Sequence, residues 1–394
     1  MMRALVLRYL IAIISALLLS ACNTIEHRAE KLEKSPLPIL PQQRVLSKLL
    51  WSNTQSGGVG KSDAKLRLAV TDSEVIVADH QGKILALGKE TGKVIWRIQN
   101  KKSILSGPSV GDQKVLVGAP NQVLAYRFAS VDPLWQAEVS GSVLAAPIID
   151  KGMVFVHVMD GSVVALNAED GRQLWHYNVP TPSLMLRRSS SPVIVGDHII
   201  VGFSNGKLVA LHRMDGTPEW EREIAVSKGR SEIQNMVDIS ADPVVKDNII
   251  YAVSYQGKIA ALELETGALI WDKELSSYSG LSVDMKAIFV SDARGTVWAL
   301  NRKTGEVLWK QEGLTGRHLT APAIFDDFVI VGDEDGHLHW LSQQNGEFQS
   351  RVMVDGKGLE ATPVVKNDVV YVLGRSGKVA AYTMPYRHDV SKGE

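Results

Sequence analysis

Cysteine is nearly absent, with one in 394 residues, Cys22. That excludes an intramolecular disulfide framework and any cysteine-based structural zinc site. A surplus of charge of either sign is also missing, since Lys+Arg and Asp+Glu both stand at 43. Nothing in that balance points to nucleic acid, an acidic substrate or a basic membrane-hugging surface, so a partner must be recognised by shape and local chemistry. No amphipathic helical stretch of ordinary length appears, and no apolar run reaches the about 20 residues that a membrane-spanning helix needs. No nucleophile elbow or other fixed-spacing catalytic motif is present. What remains is a chain with 45% apolar and 22% charged residues. Such a composition is ordinary for a folded protein, and the length allows a large core.

The amino end has its own organisation. Arg3 and Arg8 precede an apolar run over residues 10–19, broken only by Ser15 and followed by Leu19-Ser20-Ala21-Cys22. This is the layout of a signal peptide, and its end resembles the lipobox of bacterial lipoproteins, a Leu, two small residues and then Cys. The resemblance implies cleavage before Cys22 and acylation of its thiol and of the new amino group, more than the two signals that stable anchoring needs. In that class an Asp after the Cys commonly marks retention at the inner membrane. Asn23 stands there instead, so the periplasmic face of the outer membrane is the expected location. Loss of Arg3 and Arg8 leaves the mature chain with a net charge of about −2. From Asn23 to about Gln43 the chain is polar, mixed in charge and rich in proline, with Pro36, Pro38 and Pro41. It reads as a spacer, roughly 25 Å end to end if flexible, with a short amphipathic helix through Ile25, Ala29 and Leu32 as the alternative.

Beyond the spacer one unit recurs: a small residue and Gly, an alternating strand ending in Ala-Leu, a turn ending in Gly, and a Trp four residues later. The copies read Gln81-Gly82, Ala86-Leu87, Thr91-Gly92, Trp96; Asp160-Gly161, Ala165-Leu166, Asp170-Gly171, Trp175; and Asn205-Gly206, Ala210-Leu211, Asp215-Gly216, Trp220. They continue with Gln256-Gly257, Ala261-Leu262, Thr266-Gly267, Trp271 and Arg294-Gly295, Ala299-Leu300, Thr304-Gly305, Trp309. The copy ending in Trp135 lacks both glycines, the copy with Asn345-Gly346 has Ser350 in the Trp slot, and the last, with Ala381-Tyr382, stops before any Trp. Trp51 has no repeat before it.

Period-two runs such as Val369-Val370-Tyr371-Val372, separated by Gly, Asn and Asp turns, are short antiparallel strands. The slots are 38 to 51 residues apart, close to the roughly 40 to 45 of a four-stranded propeller blade. The expected fold is therefore all-β, an eight-bladed β-propeller of four-stranded antiparallel blades. A segment through Leu49, Leu50 and Trp51 supplies the outer strand that the eighth copy lacks and closes the ring. The slot tryptophans (Trp51, Trp96, Trp135, Trp175, Trp220, Trp271, Trp309) read as structural, each burying about 150 to 250 Å². The expected organisation is a signal peptide over 1–21, a lipid-anchored tether over 22–44, the propeller over 45–386 and a tail over 387–394.

The Ala-Leu-x-x-x-Thr-Gly-x-x-x-Trp pattern resembles the tryptophan-docking repeat of quinoprotein dehydrogenases that bind pyrroloquinoline quinone. A periplasmic dehydrogenase of that kind, or a ligand-binding propeller, is thus the alternative to a scaffold. The Asp characteristic of those enzymes two residues after Ala is replaced by Gly88, Asn167, His212, Glu263 and Asn301, and paired cysteines are absent. Neither cofactor nor enzymatic activity is expected. Gly57-Gly58-Val59-Gly60-Lys61-Ser62 is close to the end of a phosphate-binding loop, but the first required Gly falls on Gln55 and no strand-to-helix context follows, so it reads as a flexible loop. His337 and His339 share one face of a strand, yet no third ligand stands at a recognisable spacing, and no metal is expected.

Blades differ mainly in their connections. From the outer-strand Trp to the Pro that opens the next blade, Trp96 to Pro108 and Trp135 to Pro147 are both 12 residues, whereas Trp175 to Pro192 is 17 and Trp220 to Pro243 is 23. The first long connection carries Ser183-Leu184-Met185-Leu186-Arg187-Arg188, and the second carries Ser231-Glu232-Ile233 through Asp238. Exposed apolar anchors beside arginine suit an interface. The bland alternative is a mini-core folded over the end of the ring, and the two are compatible.

With lipobox, proline-rich spacer, eight repeats and these two loops in order, essentially the whole chain resembles the BamB family, lipoprotein subunits of the outer-membrane β-barrel assembly machinery. The resemblance implies that the loops meet the periplasmic POTRA domains of the barrel-forming subunit BamA and that the protein helps unfolded outer-membrane proteins insert. It implies a monomer within a hetero-oligomeric complex. By position, Leu184 and Leu186 would be apolar anchors, Arg187 a charge-assisted donor, and Asp238 an acidic neighbour orienting the arginine or the partner. A second acidic position, two residues on, is Ser240 here. Direct contact with nascent outer-membrane proteins, by addition of a strand to exposed sheet edges, is a further expectation.

Overall fold

The computed structural model describes residues 32–40, 47–60, 64–128, 132–226, 229 and 231–384. Cys22, the signal segment and the carboxy-terminal tail lie outside the described residues. Contacts divide the chain between Glu33 and Lys34, and the propeller belongs to the unit Lys34–Glu394. Among the described residues every regular element is a strand, arranged in eight sheets. In chain order the eight blades start at the inner strands Ala69–Val70, Ser106–Gly111, Ile148–Asp150, Val193–Val195, Val244–Lys246, Gly280–Val283, Ala323–Phe325 and Val364–Lys366, and are numbered 1 to 8 below.

Blade 8 has only three strands of its own, and its fourth is Lys48–Asn53, antiparallel to Val379–Thr383 with Trp51 opposite Ala381. The ring is thus closed by the amino-terminal strand, as the unpaired Trp51 predicts. Second strands such as Glu74–Ala78 and Met153–His157 are buried at every residue, and third strands such as Ser162–Asn167 at all but an end. Each blade is covered on both faces by its neighbours, so these strands have no solvent side and read as continuous apolar runs. Alternation survives in the outer strands: in Pro218–Glu223 only Trp220 is buried.

The repeat couples adjacent blades. Each docked indole N–H donates to a backbone carbonyl of the next blade: Trp51 to Lys89 (2.8 Å), Trp135 to Ala168 (2.8 Å), Trp175 to Arg213 (2.9 Å), Trp220 to Leu264 (2.9 Å), Trp271 to Arg302 (3.2 Å) and Trp309 to Gln343 (2.7 Å). The ring lies on the turn glycine of that same next blade. At Gly171 and Gly216 an added Cβ would stand 2.7 and 2.4 Å from the Cε3 of Trp135 and Trp175, and both glycines have positive φ. Glycine is required there twice, for the left-handed backbone and for the space.

The degraded copies follow from this coupling. Blade 2 has no glycine in that turn, and Trp96 instead turns to its own blade, donating to Glu74 Oε2 at 3.1 Å. Blade 8 has no turn at all at that place, because its outer strand comes from the other end of the chain. The preceding slot in blade 7 is Ser350, and its cross-strand partner, Ala in the other seven blades, is the fully buried Trp340. The large and small members of the pair have exchanged strands. Trp340 packs edge-on against Tyr382 of blade 8 at 6.2 Å.

One element was not foreseen. Between the closing strand and blade 1 the chain passes along the inside of the ring, where Lys65–Leu66 pairs in parallel with Ser106 and Gly107 as an innermost fifth strand of blade 2. The glycine run read as a flexible loop is held, as far as it is described. The Gly57 N–H donates to Asp79 Oδ2 (2.7 Å), the Val59 N–H to the Arg375 carbonyl (3.2 Å), and the His80 N–H to the Gly58 carbonyl (3.0 Å). It wedges between blades 1 and 8, where short residues allow backbone to meet backbone.

Candidate functional site: the paired connections flanking blade 4

The two long connections leave the same end of the ring and flank blade 4. Their bases are fixed by hydrogen bonds and apolar burial. Asp238 forms an isolated antiparallel bridge with Tyr255, and its carboxylate Oδ2 accepts the Leu186 N–H at 3.2 Å, tying one connection to the other. Val237 and Ile239 are buried, while Met185 and Met236 are half-buried. Further out, Ser183 Oγ donates to Glu232 Oε1 at 3.3 Å. Leu184 and Ile233, which follow directly on that pair, are 37% and 66% exposed, and Val226 is 54% exposed. The mini-core and the exposed tips therefore coexist.

Leu184 and Arg187 are exposed, Leu186 is half-buried, and all three lie in one short stretch that the second connection touches. Asp238 is placed differently from the expectation. It is 1% exposed, and it holds the Leu186 backbone from inside. Burial pushes its carboxyl up to about 7, against the opposing effect of the Leu186 N–H. Ser240, standing where a second acid was expected, is also buried, and its carbonyl accepts from Lys65 Nζ at 3.2 Å.

Sequence reasoning placed Ile233 and Arg188 in the two loops without a role of their own and did not single out Val226 or Asp242. Asp242 accepts the Ser191 N–H at 2.7 Å and pairs with Lys65 (3.2 Å) and Arg67 (3.6 Å) across the channel. Burial raises its pKa, but these two cations outweigh burial and hold it below the ordinary carboxylate value. Arg188 reaches across to Glu360, between blades 7 and 8, where Arg375 also binds at 2.8 Å, and its guanidinium lies 5.6 Å over the Tyr278 ring. The base of the first connection is thus braced against the far side of the ring. A channel cavity of about 970 Å³ lies beneath, lined by these paired charges and by Tyr255, Tyr278 and the inner strands.

The two histidines do have a third neighbour. Asp333, four residues before His337, brings its carboxylate within 4.8 Å of ligand atoms of both His337 and His339. That carboxylate is already engaged. Oδ1 accepts the Asp335 and His337 N–H groups at 3.1 and 2.8 Å, and Oδ2 meets His339 Nε2 at 3.0 Å and Arg317 Nη1 at 3.3 Å. A guanidinium supplies the compensating charge, and the group caps the blade-7 turn as Asp79 and Asp292 cap theirs.

Fold and loops together define a class: a propeller whose channel charges pair among themselves and whose elaborated surface is two connections on one face. The model of the family described as "Outer membrane protein assembly factor BamB" matches residues 46–126 and 80–311. The assembly factor BamB of Pseudomonas aeruginosa is 36% identical over 374 residues, covering 95% of this chain and 98% of that one. BamB of Yersinia pestis is 34% identical over 387 residues, covering 95% and 98%. The crystal structure of BamB from Moraxella catarrhalis superposes with a TM-score of 0.79 at 28% identity, covering 86% of this chain and 100% of that one. A quinohemoprotein alcohol dehydrogenase from Comamonas testosteroni shares the fold alone, with a TM-score of 0.69 at 14% identity, covering 85% of this chain and 76% of that one. The chain belongs to the BamB family of outer membrane protein assembly factors, non-enzymatic scaffolds built on the quinoprotein-type repeat.

Proposed function

We propose that the paired connections flanking blade 4 dock onto the periplasmic POTRA domains of BamA, and that the protein, held at the outer membrane by an acylated Cys22, assists insertion of outer-membrane proteins. The observation that carries this reading is the convergence of the two longest measured connections into one braced patch. It presents Leu184, Ile233 and Val226 as exposed apolar side chains, with the exposed Arg187 three residues after Leu184. Apolar tips on a rigid base limit the ordering cost of binding, and truncating the few residues that anchor an interface costs more than about 1 kcal/mol each. Asp238 serves the site indirectly, by fixing the Leu186 backbone.

Leu184→Ala with Ile233→Ala is expected to weaken capture of a BamA POTRA fragment by at least about tenfold. Melting temperature should stay nearly unchanged, because both side chains already face solvent. Undiminished affinity in the folded double variant would refute the docking surface. A large fall in melting temperature would assign the two residues to the mini-core.

A further inference from the structure

Residues 34–38, part of the expected spacer, lie against blades 6 and 7. Lys34 Nζ binds Glu334 (2.6 Å) and Asp335 (2.8 Å) at a blade-7 turn, and the Ser35 N–H donates to the Thr315 carbonyl at 2.9 Å. The buried Arg317 has its Nη1 on Asp333 and Asp335, while Nε and Nη2 both donate to the Ser35 carbonyl at 3.2 and 2.9 Å. Arg351 Nη1 donates to the Pro38 carbonyl at 3.1 Å. A Cβ at Gly313 would come within 3.1 Å of Pro38 Cγ, so glycine leaves the proline its place. The contact ends there, since Ile39 is 93% exposed.

The two carbonyls read by arginine are three residues apart in Ser35-Pro36-Leu37-Pro38. A polyproline II helix has three residues per turn, so carbonyls at that spacing point the same way. Proline also sets the conformation in advance at low entropic cost. We infer that the groove between blades 6 and 7 is a binding site for a proline-rich extended segment, filled in cis by residues 34–38. There it fixes where the amino-terminal segment leaves the propeller. The site belongs to the same kind of outer-to-inner connection as the paired loops, so the segment leaves from the face that carries them.

The consequence for anchoring rests on the lipidated Cys22 proposed above. With residues 34–38 docked, the first residue of the chain fixed on the propeller stands 12 positions after Cys22, where without the docking it would be Lys48, 26 positions after it.

Trypsin tests the docking without acylation. It can cut after Lys31 and after Lys34, and a synthetic peptide of residues 28–42 gives the two rates in free chain. In the full chain, cleavage after Lys34 is expected to be slowed at least tenfold relative to that peptide, well beyond any slowing after Lys31. Pro36→Gly with Pro38→Gly alters only the segment and leaves the propeller's own residues intact. It is expected to restore peptide-like cleavage and to let a fluorescent peptide of residues 33–41 bind in trans, which the wild-type chain should refuse. Peptide-like cleavage of the wild-type chain would overturn the proposal. Persistent protection in the double glycine variant would overturn the role of the proline conformation. Failure of the protein to associate with vesicles would count against the anchor and leave the groove untouched.

Discussion

The coupling of each outer-strand tryptophan to a glycine of the next blade can be measured with two glycines of blade 4. Gly196 and Gly216 have similar backbones, with φ of +60° and +71°, but a Cβ at Gly196 would meet nothing within 4 Å, whereas one at Gly216 would stand 2.4 Å from Trp175 Cε3. Gly196→Ala therefore isolates the cost of a left-handed alanine, about 1 to 2 kcal/mol. Gly216→Ala adds displacement of the indole by more than about 1 Å, since carbon atoms pack at about 3.5 to 4 Å. That shift strains the bond to the Arg213 carbonyl, 2.9 Å long and worth about 1 kcal/mol. It also exposes part of a ring whose full burial is worth about 4 to 6 kcal/mol. Losing a third of that burial with the bond brings Gly216→Ala to about 3 to 5 kcal/mol. Urea unfolding of both variants, and of Gly216→Ala on a Trp175→Ala background, gives the coupling directly. On that background the alanine should cost no more than at Gly196. Equal costs for the two single variants, or an unchanged cost once Trp175 is gone, would refute the docking argument.

Asp238 predicts a pH dependence. Its carboxyl titrates near 7 in the folded protein against an ordinary 3.8, so the native state binds more protons than the unfolded chain between those values. The burial penalty is absent below about pH 4, grows as pH rises and levels off above 7. Asp238→Asn keeps an acceptor for Leu186 without the charge. It should be more stable than the wild type above pH 7, by up to about 4 kcal/mol, and equal to it near pH 4. A pH-independent difference between the two unfolding curves would exclude this account. In blade 7, Trp340→Ala should cost about 3 to 5 kcal/mol, as for other buried aromatics, and Ser350→Trp should destabilise by overpacking against Trp340. Combining them restores the order found in the other blades and should cost less than the sum of the two, as read by urea midpoints. Strict additivity would show that the two positions do not share one space.

Much of this was readable from residues near one another in the chain. Blade number comes from a local antiparallel unit repeated eight times, with turn residues at fixed offsets, and the closing strand from a Trp51 with no repeat before it. That a docked Trp lies on the turn glycine of the next blade is visible only in the structure. Even the exchange at Trp340 leaves a trace, a Trp in a slot that holds Ala86, Ala125, Ala165, Ala210, Ala261, Ala299 and Ala381 elsewhere. The loops were found by their excess length. Their interior was not, because an acid inside a loop and an acid on its surface have the same one-letter code.

The spacing of the repeat determined that the chain makes blades and how many, since strands adjacent in sequence settle both. Which slot tryptophans lock neighbouring blades it did not determine, because Trp96 turns to Glu74 of its own blade. Tertiary structure alone decided that Lys65 and Arg67 cross the channel to Asp242, that Arg188 braces a loop against Glu360, that Asp238 faces inward, and that Arg317 holds Ser35. The partners in these contacts stand 52 to 282 residues apart where hydrogen-bonded. No local periodicity relates such residues, and only closure of the ring brings them within reach.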